Sequence, residues 1–199
     1  MKRAAGRIEV ASGPMFASKS SWLFREFRKH HLAMREVLLL KSRLDTRYNS
    51  GPRSSVSHDG QRFPAISVGR VEEAGDPQAD VIGVDEGQFM GEGLEQWASR
   101  QAGRGKTVLV ACLDCDFRMR PFDNVAPLLC VAESHLKLTA ICAVCGGDAH
   151  YTRRTSSSTD TVEIGTHQYL PVCRQHHATE LQDTAEYMRR VRSIPGSKQ

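Results

Sequence analysis

Apolar residues gather into short runs separated by turn-forming or amphipathic stretches, and the period of each run predicts its element. Residues 6–12 carry Ile8, Val10 and Ala11 and stop at Gly13-Pro14, which reads as a buried strand closed by a turn. From about residue 19 to 31 the period lengthens: Trp22, Leu23 and Phe27, with Leu32 beyond, fall on one face of a helix. Residues 37–40 predict a second buried strand, 81–84 a third and 107–113 a fourth, and 94–101 forms the body of a helix that ends near Gly103. Strand alternating with helix predicts an α/β body whose largely parallel sheet carries helices on both faces.

Two stretches break this rhythm. Residues 45–64 contain Gly51, Pro52, Gly60, Pro64 and several serines with little apolar content, and are expected to form a long mobile loop. From residue 137 onward only short strands are predicted, at 137–141, 150–153 and 162–165, with 155–161 as a polar hairpin tip. Residues 175–192 read as a polar helix with a frayed tail, and there are no internal repeats. The expected organisation is an α/β body over 1–140, a small β-rich module over 141–180 and a C-terminal helix or tail over 181–199.

Composition adds limits. At 199 residues, 40% apolar and 25% charged, the chain resembles an ordinary soluble globular protein and can bury a real core. A net charge of +4 suits a phosphate-handling site and is too small to argue for nucleic-acid binding. The first 13 residues carry Lys2, Arg3, Arg7 and Glu9 and lack the apolar core of a secretory signal, and no apolar run approaches the length of a membrane span. The expectation is a cytoplasmic protein with no membrane contact, in which six cysteines are thiols or metal ligands rather than a disulfide framework.

Gly13-Pro14-Met15-Phe16-Ala17-Ser18-Lys19-Ser20 follows a strand and opens a helix, the setting a phosphate-binding loop requires. In such a P-loop the backbone N–H groups point inward, the helix N-terminus adds partial positive charge, and Lys19 reaches the β- and γ-phosphates of ATP. Ser20 would offer its hydroxyl to Mg²⁺. The usual pattern has glycine before the lysine. Ser18 stands there instead and costs energy if the backbone takes φ > 0. The plainer alternative is a strand–turn–helix with a chance lysine. Asp85 and Glu86 lie just past the strand at 81–84, at the edge where open α/β sheets bind ligands. Asp85 is assigned to Mg²⁺ and Glu86 to the base that accepts a hydroxyl proton during phosphoryl transfer. Solvated carboxylates capping the next helix are the alternative.

Cys142-x-x-Cys145 and Cys173-x-x-His176 are two paired-ligand turns that can converge on a tetrahedral zinc. Four protein ligands leave no open position, so such a site folds the module rather than catalyses. His177 is the alternative to His176, and Cys112-x-x-Cys115, with no second pair nearby, reads as core thiols.

In this order the motifs resemble the cytosolic-type thymidine kinases over about residues 6–177. The most specific stretches are Gly13-Pro14-Met15-Phe16, Asp45-Thr46-Arg47-Tyr48 and Asp85-Glu86-Gly87-Gln88-Phe89, followed by Leu113-Asp114-Cys115-Asp116-Phe117, Pro121-Phe122, Leu136-Lys137-Leu138-Thr139-Ala140 and Tyr151-Thr152-Arg153-Arg154. The resemblance implies transfer of the ATP γ-phosphate to the 5′-hydroxyl of thymidine, with a zinc-tethered lasso closing over the nucleoside. It places Met15, Phe89, Phe117, Phe122 and Tyr169 around the thymine, and Thr152 with the backbone of Ile164, Gly165 and Thr166 on its polar edge. Asp45 and Arg47 would face the sugar–phosphate side, Arg47 against the transferred charge. It further implies a homotetramer and feedback by dTTP. An aromatic-lined slot suits a flat, weakly polar base. Ser18, Met90 and Cys115 depart from the family pattern, which has glycine, phenylalanine and glycine there. Two other functions compete: a catalytically weak nucleotide-binding relative, favoured by Ser18, and a zinc-ribbon nucleic-acid binder using Arg153, Arg154 and Arg174, which leaves the phosphate loop and acidic pair unexplained.

Overall fold

The computed structural model describes residues 5–44, 54–56, 62–155, 168–178 and 189. Its centre is built from the apolar runs. Strand β1 (Arg7–Ser12), β2 (Val37–Ser42), β5 (Val81–Val84) and β6 (Thr107–Cys112) lie side by side in the order β2-β5-β6-β1, all parallel. Strand β4 (Arg62–Val68) adds in parallel beside β2, and β3 (Ser54–Val56) closes that edge antiparallel to β4. Strand β7 (Ser134–Lys137) pairs in parallel with β1 at the other edge, giving seven strands of which six are parallel.

Parallel pairing requires crossovers, and the helices that make them cover both faces of the sheet. Helix α1 (Lys19–Leu32) lays Leu23, Phe24 and Phe27 on Val37, Leu39, Phe63, Ala65, Val81, Leu109 and Ala111. The opposite side chains of the same strands, Ile8, Val10, Leu40, Ile82, Val84, Val108 and Val110, meet Leu94, Trp97 and Ala98 of α2 (Leu94–Gly103) and Val125 and Leu128 of α3 (Val125–Val131). Full burial of each Val, Leu, Ile or Phe among these contributes about 1.5–3 kcal/mol. Gly83 sits under α1, and a Cβ there would collide with the Phe27 ring, so this glycine lets the helix seat directly on the sheet.

The strands expected at 6–12, 37–40, 81–84 and 107–113 and the first two helices stand where their patterns put them, while two stretches differ. Within the 45–64 loop, 54–56 and 62–64 are strand, and β4 runs on to Val68. Pro64 hides this strand from sequence reading, yet it pairs only with Ser54 of β3. The register with β2 starts at Ala65, so no bond to β2 is lost. The strand expected at 137–141 is divided. Lys137 ends β7 in the large sheet, and β8 (Ala140–Ile141) pairs instead with β9 (Asp148–Ala149).

Strand β10 (Tyr151–Arg154), one residue later than expected, pairs antiparallel with β11 (Tyr169–Val172), and α4 (Arg174–Ala178) follows. The expected strand at 162–165, and the rest of the 175–192 helix apart from Arg189, lie outside the described residues. Ala140, Cys142, Ala149 and Val172 share a small core with Ala17 of the phosphate loop, flanked by Phe16 and Leu138. No helix among the described residues is long and apolar enough to cross a membrane.

Candidate active site

Because β5, β6 and β1 are adjacent and parallel, the segments that follow them emerge at one edge: 13–18 after β1, 85–89 after β5 and 113–117 after β6. The phosphate loop holds positive φ at Gly13, Phe16 and Ser18. Gly13 is required, since a Cβ would strike the Leu138 carbonyl. Ser18 has φ 57 and ψ 32, the left-handed conformation in which a serine costs more than a glycine. The N-terminus of α1 opens at Lys19 with no acidic residue in its first turn, a setting favourable to an anion. Lys19 donates from Nζ to the Pro14 carbonyl at 2.6 Å. Burial lowers its pKa, opposed by Glu86, Cys112, Asp85 and Asp114.

The acidic pair meets this loop directly. Ser20 Oγ donates to Asp85 Oδ1 at 3.0 Å, which brings both residues assigned to Mg²⁺ to one point. The same Oδ1 accepts the Glu86 N–H at 3.1 Å. Glu86 holds φ 55, left-handed for a residue with a side chain, a strain typical of sites where the surroundings fix a functional group. Gln88 donates from Nε2 to Glu86 Oε2 at 2.5 Å and accepts the Leu113 N–H at 2.9 Å. Asn124 Nδ2 braces the same turn through the carbonyls of Gly87 at 3.0 Å and Gly91 at 3.1 Å.

A second polar group links β7, β1 and the segment that follows β6. Ser12 Oγ lies 2.8 Å from His135 Nε2 and donates to Asp114 Oδ2 at 3.3 Å, and Lys137 pairs with that oxygen at 3.0 Å. Burial lowers the His135 pKa and outweighs Asp114. Cys112 is pushed up to about 12 by burial despite Lys19 nearby, so it is a neutral thiol at ordinary pH. Cys115 is also raised by burial, and neither joins a metal-type cluster among the described residues.

Several of the residues expected around the nucleoside meet across the small module. Met15 N–H donates to Thr152 Oγ1 at 2.9 Å. Arg154, two residues on along β10 and on the same buried face, stacks its guanidinium over Phe117 at 3.9 Å and donates to Tyr169 Oη at 2.8 Å. Phe117 is further held by His177, whose Nε2 lies 2.9 Å from the Phe117 carbonyl oxygen. Met15, Thr152, Phe117 and Tyr169 thus come together. Phe89 and Phe122 are half-buried at the same edge, Phe122 against the core beneath α2 and α3. Asp45, Arg47, Ile164, Gly165 and Thr166 lie outside the described residues.

Cys142, Cys145, Cys173 and His176 bring their ligand atoms within 4.8 Å of one another, the one such group among the described residues. A tetrahedron with Zn–S bonds of about 2.3 Å spaces its ligands by about 3.8 Å, and three thiols with one imidazole are donors that zinc favours. Burial pushes the Cys142 thiol up, but the N–H groups of Cys145, Cys173 and Val144 outweigh it and bring it down to about 6. The donor set therefore fits zinc. His176 Nδ1 lies 3.1 Å from Cys173 Sγ, whereas His177 is turned to Phe117.

Sequence reasoning missed Gln88, Asn124, Arg154 and His177 as parts of this site. Arg154 carried a signal: strand alternation places it on the face of Thr152.

The thymidine kinase family model matches residues 6–177. Thymidine kinase 1 of Dictyostelium discoideum is 39% identical over 175 residues, 85% of this chain and 77% of that one. The thymidine kinase of Yaba monkey tumor virus is 40% identical over 178 residues, 87% and 96% of the two chains, and that of Bdellovibrio bacteriovorus 38% over 180, 88% and 87%. Among solved structures, the flagellar accessory protein FlaH of Methanocaldococcus jannaschii superposes with a TM-score of 0.50 over 79% of this chain and 75% of that one. At 13% identity this is a likeness of fold alone. With the phosphate loop, acidic pair and Cys₃His cluster assembled around one sheet edge, the chain belongs to the thymidine kinase family.

Proposed function

We propose that this kinase transfers the γ-phosphate of Mg·ATP to the 5′-hydroxyl of thymidine. The observation that carries the reading is the 3.0 Å contact of Ser20 with Asp85, which fixes Glu86 beside the phosphate loop at the open sheet edge. Residues 13–20 cradle the phosphates, with Lys19 leaving the Pro14 carbonyl for them. Ser20 and Asp85 would hold Mg²⁺, which when bound neutralises charge on the phosphates. Glu86 accepts the proton of the attacking hydroxyl. Met15, Phe89, Phe117, Phe122 and Tyr169 enclose the base. Thr152, having accepted the Met15 N–H, keeps its own proton to donate. By family likeness Asp45 and Arg47 act at the sugar and the transferred charge, and Ile164, Gly165 and Thr166 at the edge of the base.

Zinc on Cys142, Cys145, Cys173 and His176 is structural in this reading and holds the lasso module of residues 141–180 against the body of 1–140. A cytoplasmic homotetramer inhibited by dTTP completes the proposal by family likeness. The test is phosphorylation of a nucleoside panel by the purified protein with Mg·ATP, thymidine being preferred. Glu86→Gln should lower kcat at least about a hundredfold with ATP and thymidine binding retained. Turnover of Glu86→Gln at the parent rate would remove Glu86 as the base, and a folded, metal-loaded protein without thymidine turnover would refute the reading as a whole.

A further inference from the structure

Gln88 is buried, and both ends of its amide are committed in a way that fixes their orientation. The Leu113 N–H can only donate, so the atom that meets it at 2.9 Å is the amide oxygen. The amide nitrogen must then face Glu86, where it donates to Oε2 at 2.5 Å. Leu113 follows β6 and Glu86 follows β5, so one side chain spans two adjacent strand ends. The turn that carries Gln88 is itself pinned by Asn124, through the carbonyls of Gly87, Gln88 and Gly91. We propose that Gln88 is the positioning residue for the base: it occupies one oxygen of Glu86 and holds the carboxylate so that the other faces the incoming hydroxyl.

The inference rests on Glu86 being the base. A carboxylate on a flexible side chain samples several rotamers, and a charge-assisted hydrogen bond from a fixed amide selects one of them. The bond acts on Glu86 alone and touches neither substrate. Its loss therefore falls on the chemical step rather than on binding.

Two variants separate positioning from support. Gln88→Met removes both hydrogen bonds at similar volume. Gln88→Glu keeps an oxygen for the Leu113 N–H, and so keeps the structural half of the bridge, but puts a carboxyl group where the amide donated. Two like charges then face each other, or they share a proton that occupies the base. Steady-state kinetics with thymidine and Mg·ATP should show kcat reduced about tenfold to a hundredfold in both, with Gln88→Glu at least as impaired as Gln88→Met. Both KM values should stay within about twofold.

A purely structural Gln88 gives the reverse order: Gln88→Glu near the parent kcat and Gln88→Met destabilised, with its KM values raised. That result overturns the proposal, and Gln88→Glu decides it alone if Gln88→Met does not fold. Glu86→Gln, measured beside them, tells the two failures apart. If it retains turnover, the base assignment falls and the positioning role with it. If it is inactive while Gln88→Glu is normal, only the positioning role falls.

Discussion

Ser18 puts a side chain at φ 57 and ψ 32 immediately before the phosphate-loop lysine. The left-handed conformation costs an L-residue about 1–2 kcal/mol, and glycine escapes that cost but gives up a similar amount in chain entropy on folding. Ser18→Gly should therefore change stability by less than about 1 kcal/mol and kcat by less than about twofold, because the serine already holds the turn. Ser18→Val should behave differently. A β-branched residue resists this conformation, so the loop opens, and the KM for ATP rises severalfold. Melting curves and ATP titrations of the two variants check the pair. A gain of tenfold or more in kcat for Ser18→Gly would mean that serine obstructs the nucleotide. The presence of Lys19, Ser20, Asp85 and Glu86 at one edge was legible from local spacing after strands. The committed amide of Gln88 and the stacked guanidinium of Arg154 were not, because their partners, Leu113 and Phe117, are set by how strands and module come together.

Among elements, α1 does two tasks: its apolar face covers the sheet, and its first residues form the end of the phosphate loop. Phe27 is fully buried at Gly83, and Phe24 and Phe27 flank Phe63, with ring centroids 6.0 and 5.6 Å away. Gly83→Ala should push the helix off the sheet, cost about 1–3 kcal/mol by overpacking, and raise the KM for ATP as Lys19 and Ser20 move with it. Adding Phe27→Leu should restore part of the lost Tm by relieving the clash. If the double variant is no more stable than Gly83→Ala, the cost is not steric. Two of the elements hidden in the sequence share a physical cause. Strand β4 contains Pro64, and α3 contains Pro127. Each proline sits where its missing N–H costs nothing, ahead of the pairing with β2 in one case and in the first helical turn in the other. Strand β7 is exposed along its length as an edge strand, so it lacks the apolar run that marked its neighbours.

Across the whole molecule, the small module is joined to the body at the places where substrates would lie. Met15 N–H donates to Thr152 Oγ1 at 2.9 Å, and Ala17 packs into the module's core. Arg154 and His177 hold Phe117 from the module side. Among the described residues the module's own core is small: Ala140, Cys142, Ala149 and Val172 cluster in it, with Tyr169 and Leu170 the larger side chains buried beside them. A core of this size offsets only part of the entropy of ordering these strands, and a metal on the Cys₃His cluster would contribute much of the difference. The two cores that flank the large sheet share no residue with it. Stripping metal with a chelator should therefore loosen the module while the α/β body stays folded. Hydrogen exchange should speed up at least about tenfold over 140–154 and 168–178, and at 113–118 where Phe117 is held, with protection kept over 81–84 and 107–112. The KM for thymidine should rise more than that for ATP, since the module bears on Phe117 and Tyr169 more than on Lys19. Unchanged exchange in the module after metal loss would show that its strands hold without the cluster. Loss of protection throughout would show that body and module fold as one unit.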